Sequence, residues 1–145
     1  MPTHLVETIH RSDRDPSLVM PYAPAIKVRG GALVFLAGVT AAPTYHQHPH
    51  RSEDFDAIPD DAGEQARRAM DELRRTLEAA GGSLRDVVWL TRYIRDAEAN
   101  QDAINRETNA GFGEHRPATT TVEVVRLATD PRLKVELSAI AVVPE

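Results

Sequence analysis

The chain has 145 residues, of which 41% are hydrophobic and 27% are charged, so we expect one soluble domain with a modest core. Its formal net charge of −5 disfavours a nucleic-acid partner, and its lack of cysteine excludes disulfides, thiolate nucleophiles and cysteine-ligated zinc. No stretch reaches the roughly 20 apolar residues of a membrane helix, and no early apolar run has signal-peptide length, so no membrane association and a cytoplasmic location are expected.

Short β-prone runs open the chain and predict strands over residues 5–9, 25–28 and 33–37. Arg29-Gly30-Gly31 separates the last two runs, and a glycine pair between β-prone runs predicts a hairpin. Residues 41–59 contain three prolines and no sustained periodicity, which predicts a long loop insertion. Loops of this length in a compact domain are commonly functional or mobile.

The most regular pattern in the sequence predicts a helix over residues 61–80. Asp61 and Glu64 have the spacing of a capping pair, and apolar residues then recur at helical intervals up to Leu77. A β-rich run over 87–94 predicts a strand, and a weaker amphipathic pattern over 97–111 predicts a second helix. Strands are predicted over 119–127 and 133–143, with the second apolar enough to be buried on both faces.

This order of elements predicts an α+β fold in which both helices pack on one face of a mixed sheet. The other face of such a sheet needs a partner. Both alternating sets of side chains in residues 133–143 are largely apolar, which favours self-association through the sheets.

Four stretches, in the same order along the chain, resemble landmarks of the Rid (YjgF, RidA-like) superfamily over about residues 20–143. The last is the most specific: Arg-Pro-Ala-Thr-Thr-Thr-Val-Glu-Val-Val-Arg-Leu at 116–127, followed by Lys-Val-Glu-Leu-Ser-Ala-Ile-Ala at 134–141. The earlier ones are Pro21-Tyr22, Leu36-Ala37-Gly38, and a helix that opens with Gln65-Ala66 and closes with Ala79-Ala80-Gly81.

The resemblance implies a single RidA-like domain over residues 1–145 with a chorismate-mutase-like fold. It further implies a homotrimer with clefts at its subunit interfaces. The founding activity of this superfamily is hydrolysis of reactive enamines and imines, such as 2-aminoacrylate, to keto acids and ammonia. A small-molecule substrate is therefore expected, with no cofactor and no metal.

The resemblance also assigns roles to individual residues. Glu136 matches the catalytic carboxylate that orients or activates water, and Gly38 matches a backbone position lining the cleft. Tyr22 and Asn105 match polar cleft positions, and Thr121 stands where the superfamily often has cysteine. The same residues have plainer interpretations: Glu136 could pair with Arg126, and the others could be ordinary core, helix-surface or strand residues.

Thr119 is the main departure from the superfamily pattern, because an arginine that pairs with the substrate carboxylate is usual there. A threonine hydroxyl cannot replace a guanidinium. Either the substrate lacks a carboxylate or another cation binds it, and Arg116 is the first candidate. We regard an altered substrate as the better explanation, with Thr119 shaping the pocket.

The loop at 41–59 carries alternating histidines, His46, His48 and His50. On a strand these imidazoles would share one face and form a metal or anion site, but Pro49 interrupts the alternation, so a cleft lid is favoured over a metal site.

The sequence thus predicts a diverged imine or enamine hydrolase acting on a non-standard substrate. The alternative is a non-catalytic ligand-sensing or chaperone-like trimer that kept the cleft and lost the chemistry. An endoribonuclease is disfavoured by the acidic net charge.

Overall fold

The computed structural model describes residues 4–145, so three residues of the domain predicted over 1–145 lie outside it. The strands and helices are β1 His4–Ile9, β2 Ala25–Gly30, β3 Ala32–Phe35, α1 Ala62–Ala79, β4 Val87–Arg95, α2 Ala97–Phe112, β5 Ala118–Val124 and β6 Val135–Val143, with short 3₁₀ helices at Ser52–Phe55 and Leu84–Asp86.

The main sheet is mixed and has the strand order β3-β6-β4-β5. Strand β6 runs antiparallel to both β3 and β4, while β4 and β5 are parallel and connected through α2. Strands β1 and β2 form a separate antiparallel pair. The arrangement confirms the predicted α+β class with a mixed sheet.

The predicted hairpin between the second and third strands is wrong. Gly30 and Gly31 do adopt positive φ values of 70° and 78°, so the chain turns where expected. However, β2 pairs with β1 and β3 pairs with β6, and no ladder joins β2 to β3 within residues 4–145. The apolar strand β3 lies beside the equally apolar end of β6, whereas β2 carries charged side chains.

Both helices pack on the same face of the main sheet, as predicted. Asp61 caps α1 by accepting a hydrogen bond from the backbone of Glu64 at 2.8 Å, which confirms the predicted capping pair. The core forms between α1, α2 and alternate residues of β6, which are buried from Val135 to Ala141. No helix in the described part of the chain has the length and apolarity needed to span a bilayer.

Gln65 is a fully buried polar residue on α1 that connects the helix to the rest of the chain. Its amide nitrogen donates to the carbonyl oxygens of Pro59 at 2.8 Å and Arg132 at 3.0 Å. Its amide oxygen accepts from the backbone of Lys134 at 2.7 Å. All three bonds are partly buried, so we expect Gln65 to fix where the 41–59 loop and the last strand meet the helix.

The opposite face of the main sheet is left largely open by residues 4–145. Leu33 and Phe35 on β3 are 64% and 73% exposed, and Trp89 on β4 is 40% exposed. The prediction that β6 is buried on both faces holds fully only for its helix side, because Glu136 and Ile140 on the other side remain partly exposed. An apolar face of this kind is typical of a surface that contacts a partner.

Candidate functional site

A cavity of about 420 Å³ lies between α2 and the β4–β5 edge of the sheet. Four of the residues predicted for the site line it: Tyr22, Asn105, Thr119 and Thr121. They reach it from three places in the sequence, namely the segment before β2, the helix α2 and the strand β5. The fold therefore brings together most of the predicted substrate-binding positions.

Arg92 also lines this cavity, although it was not among the residues predicted for the site. It lies on β4 between Leu90 and Ile94, which are both buried against the helices. Because side chains two apart on a strand share a face, Arg92 also points to the helix side. The period-two pattern of this strand was the available signal, since it places one arginine in a row of core residues.

Arg92 is only 8% exposed, and its guanidinium is held by three neutral groups. Its Nε donates to the Thr121 hydroxyl at 2.9 Å, and its Nη1 donates to Asn105 Oδ1 at 2.7 Å and to the Thr108 hydroxyl at 3.3 Å. Thr121 is the cross-strand neighbour of Arg92 in the parallel ladder. The strand pairing and α2 together hold the guanidinium in one orientation.

No carboxylate neutralises Arg92 within residues 4–145, and its Nη2 donates no hydrogen bond there. Burial lowers the pKa of the Arg92 side chain because the charged form loses hydration. Buried charges in proteins are normally paired. An unpaired guanidinium with free N–H groups at a cavity is the arrangement expected of a receptor for an anion.

Thr119 occupies the same cavity, two residues before Thr121 on the same side of β5. Its hydroxyl donates to the carbonyl oxygen of Pro117 at 3.0 Å, so it is turned back toward its own backbone. Tyr22 is 41% exposed and lines both this cavity and a second one of about 760 Å³.

Glu136 and Gly38 form a second group of predicted site residues. A Cβ atom at Gly38 would lie 2.7 Å from Glu136 Oε2 and 3.1 Å from its Cδ, so only glycine leaves the carboxylate in this position. Glu136 is half-buried, and this burial raises the pKa of its carboxyl. The Glu136 carboxylate makes no ion pair or hydrogen bond with residues 4–145, and Arg126 instead donates to the carbonyls of Leu127 and Ala128.

The two groups lie on opposite faces of the sheet. In the β4–β6 ladder Arg92 is opposite Leu137, whereas Glu136 is opposite Tyr93. Cross-strand partners share a face and successive residues alternate, so Arg92 points to the helices and Glu136 to the open face. One chain by itself therefore does not bring Glu136 to the Arg92 cavity.

Arg116, the cation suggested by the sequence, lies outside the Arg92 cavity. It lines the larger one and donates through Nη1 to the carbonyl oxygens of Gly113 and His115, the latter at 2.9 Å. Both acceptors follow α2, so Arg116 neutralises the negative end of that helix.

The three histidines of the 41–59 loop gather on that loop and line neither cavity.

Known proteins resemble this chain over nearly its whole length. The model of the family described as Endoribonuclease L-PSP matches residues 13–143. A RutC family protein of Pyrococcus abyssi is 35% identical over 130 residues, which covers 90% of this chain and 92% of the relative. The 2-iminobutanoate/2-iminopropanoate deaminase of Escherichia coli is 30% identical over 134 residues, covering 90% and 94%.

A crystal structure of a Rid family protein, YyfB of Yersinia pestis, superposes with a TM-score of 0.77. The match covers 95% of this chain and 98% of the other at 24% identity, which establishes a shared fold. Together with the match over residues 13–143, this means that the chain belongs to the Endoribonuclease L-PSP family of the Rid (YjgF) superfamily.

Proposed function

We propose that the protein hydrolyses imines or enamines that carry a carboxylate, and that Arg92 binds this carboxylate. The observation that supports the proposal is the buried, unpaired guanidinium at the cavity where Thr119 has replaced the usual arginine. A relative that is 30% identical is named a 2-iminobutanoate/2-iminopropanoate deaminase, and both of the substrates in that name are carboxylates.

Arg92 is well placed to take over the role of the missing arginine. Thr119 lies opposite Leu90, and Arg92 lies two residues further along the same ladder. Neighbouring strands are about 4.8 Å apart and two residues span about 6.6 Å, so a long side chain from either position reaches the same space. In this proposal the arginine that binds the substrate carboxylate lies on β4 instead of β5, and the carboxylate still binds in the same cavity.

Arg92 favours a second cation over a substrate that lacks a carboxylate, the two explanations that the sequence left open. The loss of arginine at 119 suggested a substrate without a carboxylate, or else another cation. Arg92 provides that cation, and its two free Nη2–H groups could form hydrogen bonds to a carboxylate.

The reaction adds water across the C=N bond. Water adds through oxygen to the carbon, its released proton goes to nitrogen, and the resulting tetrahedral amino alcohol collapses to a keto acid and ammonia. An enamine first takes a proton on carbon to become the imine. Glu136 would accept the proton from water and return it to nitrogen, because a desolvated carboxylate is a stronger base than one in water.

The catalytic site requires a second copy of the chain, because Glu136 and Arg92 lie on opposite faces of the sheet. Association through the open face would cover Leu33, Phe35 and Trp89 and bring the Glu136 of one copy to the cavity of another. The homotrimer implied by the superfamily resemblance supplies such clefts at each interface.

The test is ammonia release from imines generated in place by an amino-acid oxidase, compared with imines of similar size that lack a carboxylate. Arg92→Met is expected to reduce kcat/KM for carboxylate-bearing imines by about 30-fold to a few thousand-fold, the equivalent of about 2–5 kcal/mol. Uncharged imines should be affected little. Arg116→Met is the control, because it removes an arginine outside this cavity.

The double variant Arg92→Thr/Thr119→Arg gives the sharpest comparison. Moving the arginine back to β5 should restore much of the lost rate if only the position of the cation has changed. A rate on carboxylate-bearing imines that is insensitive to Arg92→Met would refute the assignment of Arg92. Absence of turnover on every imine, with keto-acid binding retained, would instead favour the non-catalytic ligand-sensing protein.

A further inference from the structure

The loop at 41–59 gathers three imidazoles into one cluster outside the site described above. His46, His48 and His50 each offer a ring nitrogen, and these nitrogens all lie within 4.8 Å of one another. Their ring centroids are 4.6–4.9 Å apart. From the sequence a metal site was disfavoured, because Pro49 interrupts the alternation of the histidines that a strand would need. The structure shows that the loop brings the three rings together without forming a strand.

We propose that His46, His48 and His50 form a binding site for a borderline divalent cation, with Zn²⁺ as the best-matched ion. Imidazole nitrogen is a preferred ligand of zinc, and a set of three histidines is one of its common ligand sets. Such a site leaves one coordination position for water or a small ligand.

The geometry of His46 supports this assignment. Its Nδ1 lies 2.7 Å from the carbonyl oxygen of Pro43, and a carbonyl oxygen can only accept. Nδ1 therefore carries the proton, and Nε2 presents its lone pair. A backbone carbonyl that fixes the tautomer in this way is typical of metal-binding histidines.

The cluster also rests on a rigid base. Phe55 is 1% exposed and contacts the rings of His46 and His50 edge-on, at centroid distances of 5.1 and 5.3 Å. Phe55 belongs to a second buried cluster that includes Ile58 and Leu133. Two of the three histidines therefore share one packed support, which lowers the entropy lost when they bind an ion.

Both ends of the loop are attached to the rest of the domain. Before the histidines, the Thr44 hydroxyl donates to Glu72 of α1 at 2.7 Å. After them, Arg132 donates to the carbonyl oxygen of Ser52 and to the carboxylate of Asp56, both at 2.8 Å. The histidine segment is thus held between two fixed points.

Only a small adjustment separates this arrangement from a coordination sphere. Zinc–nitrogen bonds of about 2.0–2.1 Å in a tetrahedron place ligand atoms about 3.3–3.4 Å apart. His48 and His50 are exposed, so rotation of their side chains can close the remaining distance. A bound ion would fix the conformation of the 41–59 loop.

The test uses the full chain without an affinity tag, freed of metal with a chelator and titrated with Zn²⁺ by calorimetry. We expect one ion per chain, and a Co²⁺ complex whose visible absorption indicates a tetrahedral site. His48→Ala should weaken Zn²⁺ binding by about 100-fold or more, because one of three protein ligands is lost. Gln47→Ala, a neighbouring exposed residue, is the matched control and should bind like the wild type.

Absence of Zn²⁺ binding by the wild type would overturn the proposal, as would a His48→Ala variant that binds equally well. Half an ion per chain would also overturn it, because the ion would then bridge two copies. If His48→Ala does not fold, His50→Gln provides the same comparison. None of these readouts depends on imine hydrolysis, so this proposal and the proposed activity can fail separately.

Discussion

The Arg92→Met variant separates a receptor for an anion from an ordinary structural arginine. Arg92 donates three hydrogen bonds within the chain, two at or below 2.9 Å and one at 3.3 Å. At about 1 kcal/mol net for each bond, a purely structural arginine would stabilise the fold by about 3 kcal/mol. Methionine has a similar length and no charge, so it tests the guanidinium with little change in packing.

We expect much less destabilisation than that, because the same substitution removes a buried cation that no carboxylate neutralises. The effective cost of burying one ion is several kcal/mol, which offsets the hydrogen bonds. The free energy of unfolding of Arg92→Met should therefore stay within about 1 kcal/mol of wild type or exceed it. Chemical denaturation at a fixed protein concentration measures this difference.

A carboxylate ligand should make the wild type more stable to unfolding than Arg92→Met. Pyruvate at about 100 times its Kd would stabilise the wild type by about 2.7 kcal/mol, or about 5–10 °C in Tm for a chain of this size. If Arg92→Met weakens binding about 30-fold, the same pyruvate concentration stabilises the variant by only about 0.9 kcal/mol. Methyl pyruvate, which is uncharged, should stabilise neither protein appreciably.

A different pair of results would refute this reasoning. A loss of about 3 kcal/mol in Arg92→Met, together with equal stabilisation of both proteins by pyruvate, would mean that Arg92 only attaches α2 to the sheet.

Three further predictions follow from other parts of the structure. Burial raises the pKa of Glu136 above its ordinary value, so the folded chain binds this proton more tightly than the unfolded chain. The free energy of unfolding should then fall as pH rises from the ordinary carboxyl pKa through the raised one, and Glu136→Gln should remove this part of the decline in urea titrations across that range. Gly38→Ala should lower kcat on imines by more than about tenfold, because its new Cβ displaces the Glu136 carboxylate. The free energy of unfolding should change by less than about 1 kcal/mol, since the displaced group is the end of a flexible side chain. An unchanged kcat would argue against Glu136 as the base. Gln65→Leu should destabilise the fold by about 3–5 kcal/mol in chemical denaturation, because three partly buried backbone groups lose their hydrogen bonds to a fully buried amide. A loss below about 1 kcal/mol would indicate that water replaces the amide.

Local patterns in the sequence were sufficient to predict most of the elements. The predicted helix over 61–80 corresponds to Ala62–Ala79, and its start at Asp61 follows from a capping interaction within one turn. The strand predicted over 87–94 corresponds to Val87–Arg95 for a similar reason, because side-chain periodicity is a local property. The motif at 116–127 and 134–141 was sufficient to identify the family.

Pairing between distant segments was beyond these local patterns. Gly30-Gly31 correctly indicated a turn, but whether the flanking strands pair depends on which surfaces the rest of the fold offers. Strand β3 pairs with β6, which lies about a hundred residues later in the chain. The residues of the turn determine where the chain changes direction, while the burial of apolar side chains determines which strand it then pairs with.

The sequence by itself predicted most of the elements and identified the family, and the resemblance to that family implies an arginine where Thr119 stands. Only the tertiary structure showed that Arg92 and Thr119 line the same cavity, because the pairing of two parallel strands brings them together. It also decided that Glu136 and Arg92 point to opposite faces, and that three histidines on an irregular loop converge. These are relations between side chains in space, set by strand register and core packing, and no local sequence pattern encodes them.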